Sequence, residues 1–163
     1  MAETVHLTLK HNGKQIEGDS TQTTLGREST IECLSFVQQV KTAREAGSAA
    51  ATGRRQHGPV VVTKRIDKSS PLIMKALTEN QALTAEFKFY RPNPNGDGTT
   101  EQFYTIALDN ARVSEVKKWV PNALSPAEHA APPMEEVHFL FHTVHWTYNP
   151  NGAQHEDQWS GGK

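Results

Sequence analysis

The sequence predicts a mainly β protein: a closed or two-sheet β-barrel with one short α-helix packed on its side. Three observations carry that reading. Apolar residues recur at every second position along most of the chain. Several of these runs slip phase midway, and only one segment replaces the two-residue period with helical spacing.

The first strand places Val5, Leu7 and Leu9 on one face, and Asn12-Gly13 then reads as a tight turn. In residues 30–38, Ile31 and Cys33 share one face, after which Leu34 and Phe36 are expected to turn toward the core. Val60, Val61, Val62 and Thr63 are β-branched and suit a strand. Leu83, Ala85, Phe87 and Phe89 alternate with the polar Glu86 and Lys88. Residues 91–100, rich in proline, asparagine and glycine, read as a hairpin tip. Beyond it, Tyr104, Ile106 and Leu108 run in phase before the pattern shifts to Ala111 and Val113. Residues 136–148 read as one long strand that shifts from Val137, Phe139 and Phe141 to Val144, Trp146 and Tyr148. Slips of this kind are what β-bulges produce, and bulges are how strands bend around a barrel.

The helix is predicted from Ser70 as N-cap and Pro71 at the first helical position, with Leu72, Ile73, Ala76 and Leu77 along one face. Lys75 falls on the solvent side and Asn80 is a suitable stop. Two segments break the pattern: an extended loop at 39–58, small-residue-rich and basic, and a proline- and alanine-rich loop at 121–134. Residues 149–163 read as a tail, and no repeat or boundary divides the 1–163 domain.

Composition narrows the function. At 36% hydrophobic and 21% charged residues the chain is ordinarily globular, and its net charge of −1 offers no basic field for nucleic acid. Apolar runs stop at three residues, so no membrane insertion is expected, and the alternating N-terminus lacks the apolar stretch of a signal peptide. The single Cys33 excludes an intrachain disulfide and fits folding in a reducing compartment.

Candidate chemical sites fail on spacing. His138, His142 and His145 would share a helix face, but four residues along a strand span roughly 13 Å, too far for one metal without a partner from elsewhere. The run from Asn93 to Gly98 imitates a calcium loop, yet the twelfth position is Tyr104 in place of glutamate. Cys33 lacks a nucleophile's signature, and Asp67, Ser69 and Ser70 are placed to cap the helix. No catalytic residue, metal site or cofactor is therefore expected. The basic loop carries Lys41, Arg44, Arg54 and Arg55 against Glu45 alone, with no aromatic residue to stack on bases, and reads either as solvated or as an arm that orders on a partner.

The order of blocks resembles a known family. T-K-R-I-D-K-S-S-P at 63–71, A-E-F-K-F-Y-R at 85–91, Y-T-I-A-L-D-N-A-R-V at 104–113, W-T-Y at 146–148 and the tail His155 to Trp159 are similar to the haemolysin-coregulated protein (Hcp) family of type VI secretion. The resemblance implies a barrel with a side helix, a homo-hexameric ring, and stacking of rings into an inner tube that works with the spike and sheath. It further implies effectors held and chaperoned in the lumen, and a protein that is cytoplasmic before export and leaves through the type VI system without a cleaved signal peptide. The family's inter-subunit loop maps onto 39–58, making Lys41, Arg44, Arg54, Arg55, Gln56 and His57 the expected subunit-interface residues. Alternation with Leu34 and Phe36 makes Ser35 and Val37 the expected lumen-facing pair. A monomeric β-barrel ligand-binding module is the alternative.

Overall fold

The computed structural model describes residues 3–160. Eleven strands and one helix follow in the order β1 (Thr4–His11), β2 (Lys14–Ile16), β3 (Ile31–Val37), β4 (Val40–Arg44), β5 (Ala51–His57), β6 (Val60–Arg65), α1 (Ser70–Thr78), β7 (Leu83–Pro92), β8 (Thr100–Trp119), β9 (Met134–Leu140), β10 (Thr143–Tyr148) and β11 (Ala153–Gln158). Strands β8, β7, β1, β3, β6 and β9 pair in that order, and β9 pairs back onto β8, which closes a barrel. All these pairings are antiparallel.

Closure depends on β8, whose 20 residues would overshoot the barrel if straight. It bends where a residue is inserted. Leu83 faces Ala111 while Ala85 faces Leu108, so β8 carries one residue more than β7, and Asn110 there has a positive φ of 50°. This is the slip between Leu108 and Ala111. A second insertion follows at Ser114, between the pairs Val113–Phe139 and Glu115–His138.

The slip in β3 is also a bulge: Cys33 pairs with Lys64 and Ser35 with Thr63, leaving Leu34 as the extra residue. Leu34 is 46% exposed, contrary to the expectation that it joins Phe36 at the core. The inserted residue absorbs the change of face, so Ile31, Cys33 and Phe36 all point inward. Phe36 then meets Phe87 and Phe89 edge-on, both centroids 5.1 Å away.

The third expected slip is different in kind. Residues 136–148 are two strands, not one: β9 and β10 lie end to end along the same edge of β8 and break at Phe141–His142. The His142 amide donates to the carbonyl of Asp109 at the β8 bulge, so the interruption sits where β8 itself turns. The tail is not a tail throughout, since Ala153–Gln158 form β11 on the free edge of β10. Its positions 161–163 lie outside the described residues.

Helix α1 buries Ile73 and Ala76 and packs against β8. Leu72, placed on that face by spacing, is 44% exposed on the flank. Its N-cap is Ser69 and not Ser70, and no side chain caps it. Ser70 instead reaches inward. Its hydroxyl donates to Glu135 Oε2 and accepts the Asp67 amide at 3.0 Å. Beside it lies Lys64, wholly buried, with Nζ 2.9 Å from Glu135 Oε2, 3.0 Å from Asp67 Oδ1 and 2.8 Å from the carbonyl of Arg65. The helix is thus keyed to the barrel wall by a buried ionic network.

A second buried polar group fixes the other side of the sheet. Thr30 Oγ1 donates to the carbonyl of Arg27 at 2.7 Å, so it must accept from His6 Nδ1–H at 2.9 Å. His6 is 2% exposed and meets Tyr90 edge-on. Burial, reinforced by Arg27 and opposed by Glu32, lowers its pKa below the ordinary 6.5. The neutral ring is therefore favoured in the fold, and this contribution is complete above 6.5 and lost as pH falls through the lower folded value. Thermal unfolding at pH 7.5 and 5.5 is expected to show a loss on acidification that shrinks in His6→Gln, with a slope of at most about 1.4 kcal/mol per pH unit. An equal loss in both proteins would remove His6 from the account.

Candidate assembly surface

Strands β4 and β5 form the basic segment, which is a hairpin and not an extended loop. Among the described residues they pair only with each other, as a two-stranded sheet apart from the barrel. At the tip, Glu45 N–H donates to the Ala50 carbonyl at 2.7 Å, and Gly47 takes a positive φ of 91° that a larger residue would resist. At the base, Gly58 N–H donates to the carbonyl of Gln39 at 2.8 Å. A Cβ on Gly58 would lie 3.3 Å from that carbonyl oxygen, so the small residue suits the neck.

Most hairpin side chains are exposed, including Lys41, Arg44, Arg54 and Gln56. Two are not. Arg55 forms a bidentate pair with Asp157 of β11, Nε to Oδ2 at 2.5 Å and Nη2 to Oδ1 at 2.6 Å. His57 is buried and its Nε2 lies 2.8 Å from the same Oδ2. The His57 ring stacks near Trp146 and Trp159, at 6.4 and 6.0 Å between centroids, and meets Phe141 edge-on at 5.5 Å. The hydrogen bonds from Arg55, and then from His57, outweigh partial burial and hold the Asp157 carboxyl well below the usual carboxylate range. The tail block from His155 to Trp159 is thus the seat of the hairpin's base.

Next to this seat the barrel mouth is open. Phe36, Val37, Gln38, Phe89, Tyr104, Ile106 and Trp146 line an apolar groove, where Trp146 Nε1–H donates to Gln38 Oε1 at 2.9 Å. Val37 is 57% exposed there, and Leu34 and Val40, three residues before and after it in the chain, are themselves exposed. Ser35 is exposed on the outward face of β3, opposite Thr63. One copy of the chain therefore presents an open apolar groove beside a basic, self-paired hairpin. Surfaces of this composition are found where proteins dock.

The other candidates are dispersed. His142 Nδ1 lies 2.8 Å from Thr143 Oγ1, while His145 Nε2 is 2.8 Å from Asp109, so these rings serve separate partners. Asp97 Oδ1 accepts from the amide and hydroxyl of Thr99 within the β7–β8 hairpin tip. Burial pushes the Cys33 thiol up to about 12, which denies it a thiolate at neutral pH.

Comparison with known proteins gives this surface its context. Residues 7–148 match the family described as type VI secretion system effector, Hcp. The chain belongs to the Hcp family. This Hcp chain is 35% identical over 135 residues to the Major exported protein of Pseudomonas aeruginosa, covering 82% of this chain and 77% of that one. Its fold matches Hcp1 of the E. coli EAEC 042 pathovar at a TM-score of 0.82 and 30% identity, over 97% of this chain and 99% of the other. It likewise matches the secreted protein Hcp3 of Pseudomonas aeruginosa at 0.75 and 25% identity, over 97% and 99%. Among the described residues, no helix is long and apolar enough to cross a membrane.

Proposed function

We propose that this chain is a structural subunit of the type VI inner tube, acting as a single domain that closes into six-membered rings which stack and carry effectors. The observation that supports this most is the pairing of an open apolar mouth with a basic hairpin that, among the described residues, is hydrogen-bonded to no barrel strand and is seated only at its base. A two-stranded hairpin is marginal in water, so a neighbouring copy that covers it gains stability on both sides. A ring of identical chains needs two different complementary patches per copy. The hairpin and the groove beside Val37 are two such patches.

With Arg55 and His57 engaged inside the chain, the hairpin's contribution to a neighbour falls to Lys41, Arg44, Arg54 and Gln56. Ser35 faces the lumen in this reading, and Val37 lies at its rim. Spike, sheath and effector proteins are the partners, and export follows the type VI route without cleavage of a signal peptide.

Light scattering after size-exclusion chromatography is expected to give six times the chain mass of 18.1 kDa, with annular particles in negative stain. Reversing charge in Arg44→Glu/Arg54→Glu is expected to weaken assembly by tenfold or more, with the barrel intact by circular dichroism. A single-chain mass at high concentration without annuli would discard the tube and favour a monomeric ligand-binding barrel.

A further inference from the structure

The outer wall of the barrel carries a convergence of metal-ligand atoms that the assembly surface does not use. On β9, Glu136 and His138 are two apart and share the outward face, since Glu135, Val137 and Phe139 between and beside them are buried. On β8 the inserted Ser114 advances the register by one, and this brings Glu115 directly opposite His138. Bulges are a common device for re-aiming a side chain.

The result is compact. His138 Nε2 lies 3.0 Å from Glu115 Oε2 and 3.2 Å from Glu136 Oε2. One ligand atom from each of the three lies within 4.8 Å of the other two. A tetrahedral ion with bonds of about 2.1 Å needs donor atoms about 3.4 Å apart, so two edges of the triangle are already near the required length. Lys117, opposite Glu136 in register, does not fill the gap: its ammonium lies over the Trp119 ring, 5.7 Å from the centroid.

His145 provides a contrast within the same molecule. It too has two carboxylates, but Asp109 Oδ2 is on Nε2 at 2.8 Å and Glu156 Oε2 is on Nδ1 at 3.4 Å. Those acids lie on opposite sides of the ring and cannot share an ion with one nitrogen. At His138 both acids address the same nitrogen.

We propose that Glu115, Glu136 and His138 form a surface site for a borderline divalent transition metal such as Zn2+ or Co2+. One imidazole with two carboxylates suits that class better than calcium, which takes six to eight oxygen ligands. Three protein ligands leave a fourth position for water or for a donor from a docking molecule. His138 lies on β9 and His145 on β10; the proposed partners of His138 are Glu115 of the neighbouring β8 and Glu136 of β9 itself, and not the other histidines.

The test is titration of the full chain, free of any histidine tag, with Co2+ alone. One equivalent is expected to bind with the visible absorption of four-coordinate cobalt, and Zn2+ is expected to displace it. His138→Gln and Glu136→Gln are expected to weaken binding by more than about tenfold, and His145→Gln to leave it unchanged. Should either of the first two fail to fold by circular dichroism, Glu115→Gln, on an exposed side chain, replaces it. No visible band, a band that survives in His138→Gln, or an equal loss in His145→Gln would each overturn the site and leave His138 as an ion-pair partner only.

Discussion

Replacing Lys64 with methionine is expected to destabilise the barrel by about 3–5 kcal/mol, on the order of 10 °C in melting temperature. The side chains of Lys64 and Glu135 are 1% and 0% exposed, and their contact is 2.9 Å. Removing the ammonium leaves a buried carboxylate facing Ser70 and, at 3.3 Å, Lys118. Breaking a buried pair from one side is costly because the remaining charge has no water and loses its nearer counterion, with only the partly exposed Lys118 left beside it. The pH response identifies the cause. In the native protein, burial works to raise the Glu135 pKa, but the Ser70 hydroxyl and then Lys64 outweigh it and hold it below 4.5. That contribution is complete above the ordinary carboxylate value and is lost as pH falls through the depressed one. Without Lys64, burial is opposed only by Ser70 and Lys118 and the carboxyl shifts upward from its native value, so the variant gains relative to the native protein on acidification. The double variant Lys64→Met/Glu135→Leu is expected to recover part of the loss, since an apolar pair of similar volume needs no counterion while Asp67 still lacks its cation. Urea denaturation of the three proteins at pH 8 and 5 checks both points. A single variant within 1 kcal/mol of native at pH 8 would show that water reaches the pair.

This network also explains the block by which the chain resembles its family. Within T-K-R-I-D-K-S-S-P, Lys64 and Ser70 both bond to Glu135, Asp67 accepts from Lys64 and donates its amide to Ser70, and Ser69 Oγ donates to Asp67. From the sequence, the serines looked suited to capping, because a local partner is the only kind a linear reading can supply. Glu135 is 71 residues from Lys64, and nothing in the intervening pattern announces the contact.

Elsewhere legibility follows burial. Strands β1, β7 and β8 bury one face, so their period of two is written in leucine, phenylalanine and alanine. The bulges at Leu34 and Asn110 left phase slips that could be read, though the face of Leu34 could not: an inserted residue belongs to neither side. The break between β9 and β10 mimicked a slip because both strands run along one edge of β8. The β4–β5 hairpin was invisible as strands. With most side chains of both strands exposed, Val40–Arg44 and Ala51–His57 carry no alternation, and their glycine and alanine content reads as loop. Strand β11 is hidden for the same reason, being almost wholly exposed. The seat formed by His57, Asp157 and Trp159 joins residues about a hundred positions apart, so only the aromatic tail hinted at it.

Replacing Asp157 with alanine is expected to free the hairpin while leaving the barrel folded. Asp157 receives both arms of Arg55 and the His57 ring, and its side chain is 16% exposed. Among the described residues no other strand pairs with β4 or β5, so their orientation depends on this clamp and on the aromatic packing around His57. Loss of the carboxylate leaves Arg55 unpaired and His57 buried without its acceptor, a combination that favours lifting the whole base into water. Hydrogen exchange is expected to rise by tenfold or more at the amides of residues 40–57, with β1, β7 and β8 unchanged. Asp157→Asn retains an acceptor oxygen for His57 but not the charge that Arg55 requires, and should fall between. The pH dependence has a definite sign: because the folded Asp157 pKa is depressed, the clamp holds at and above ordinary carboxylate values and opens only as pH falls through the lower folded one. If the ring is built through the hairpin, Asp157→Ala should also shift assembly toward single chains at low concentration, since each copy must then pay the entropy of ordering the arm. Faster exchange with undiminished rings would place the assembling contacts on the barrel mouth; unchanged exchange would show that the aromatic stack around His57 holds the hairpin unaided.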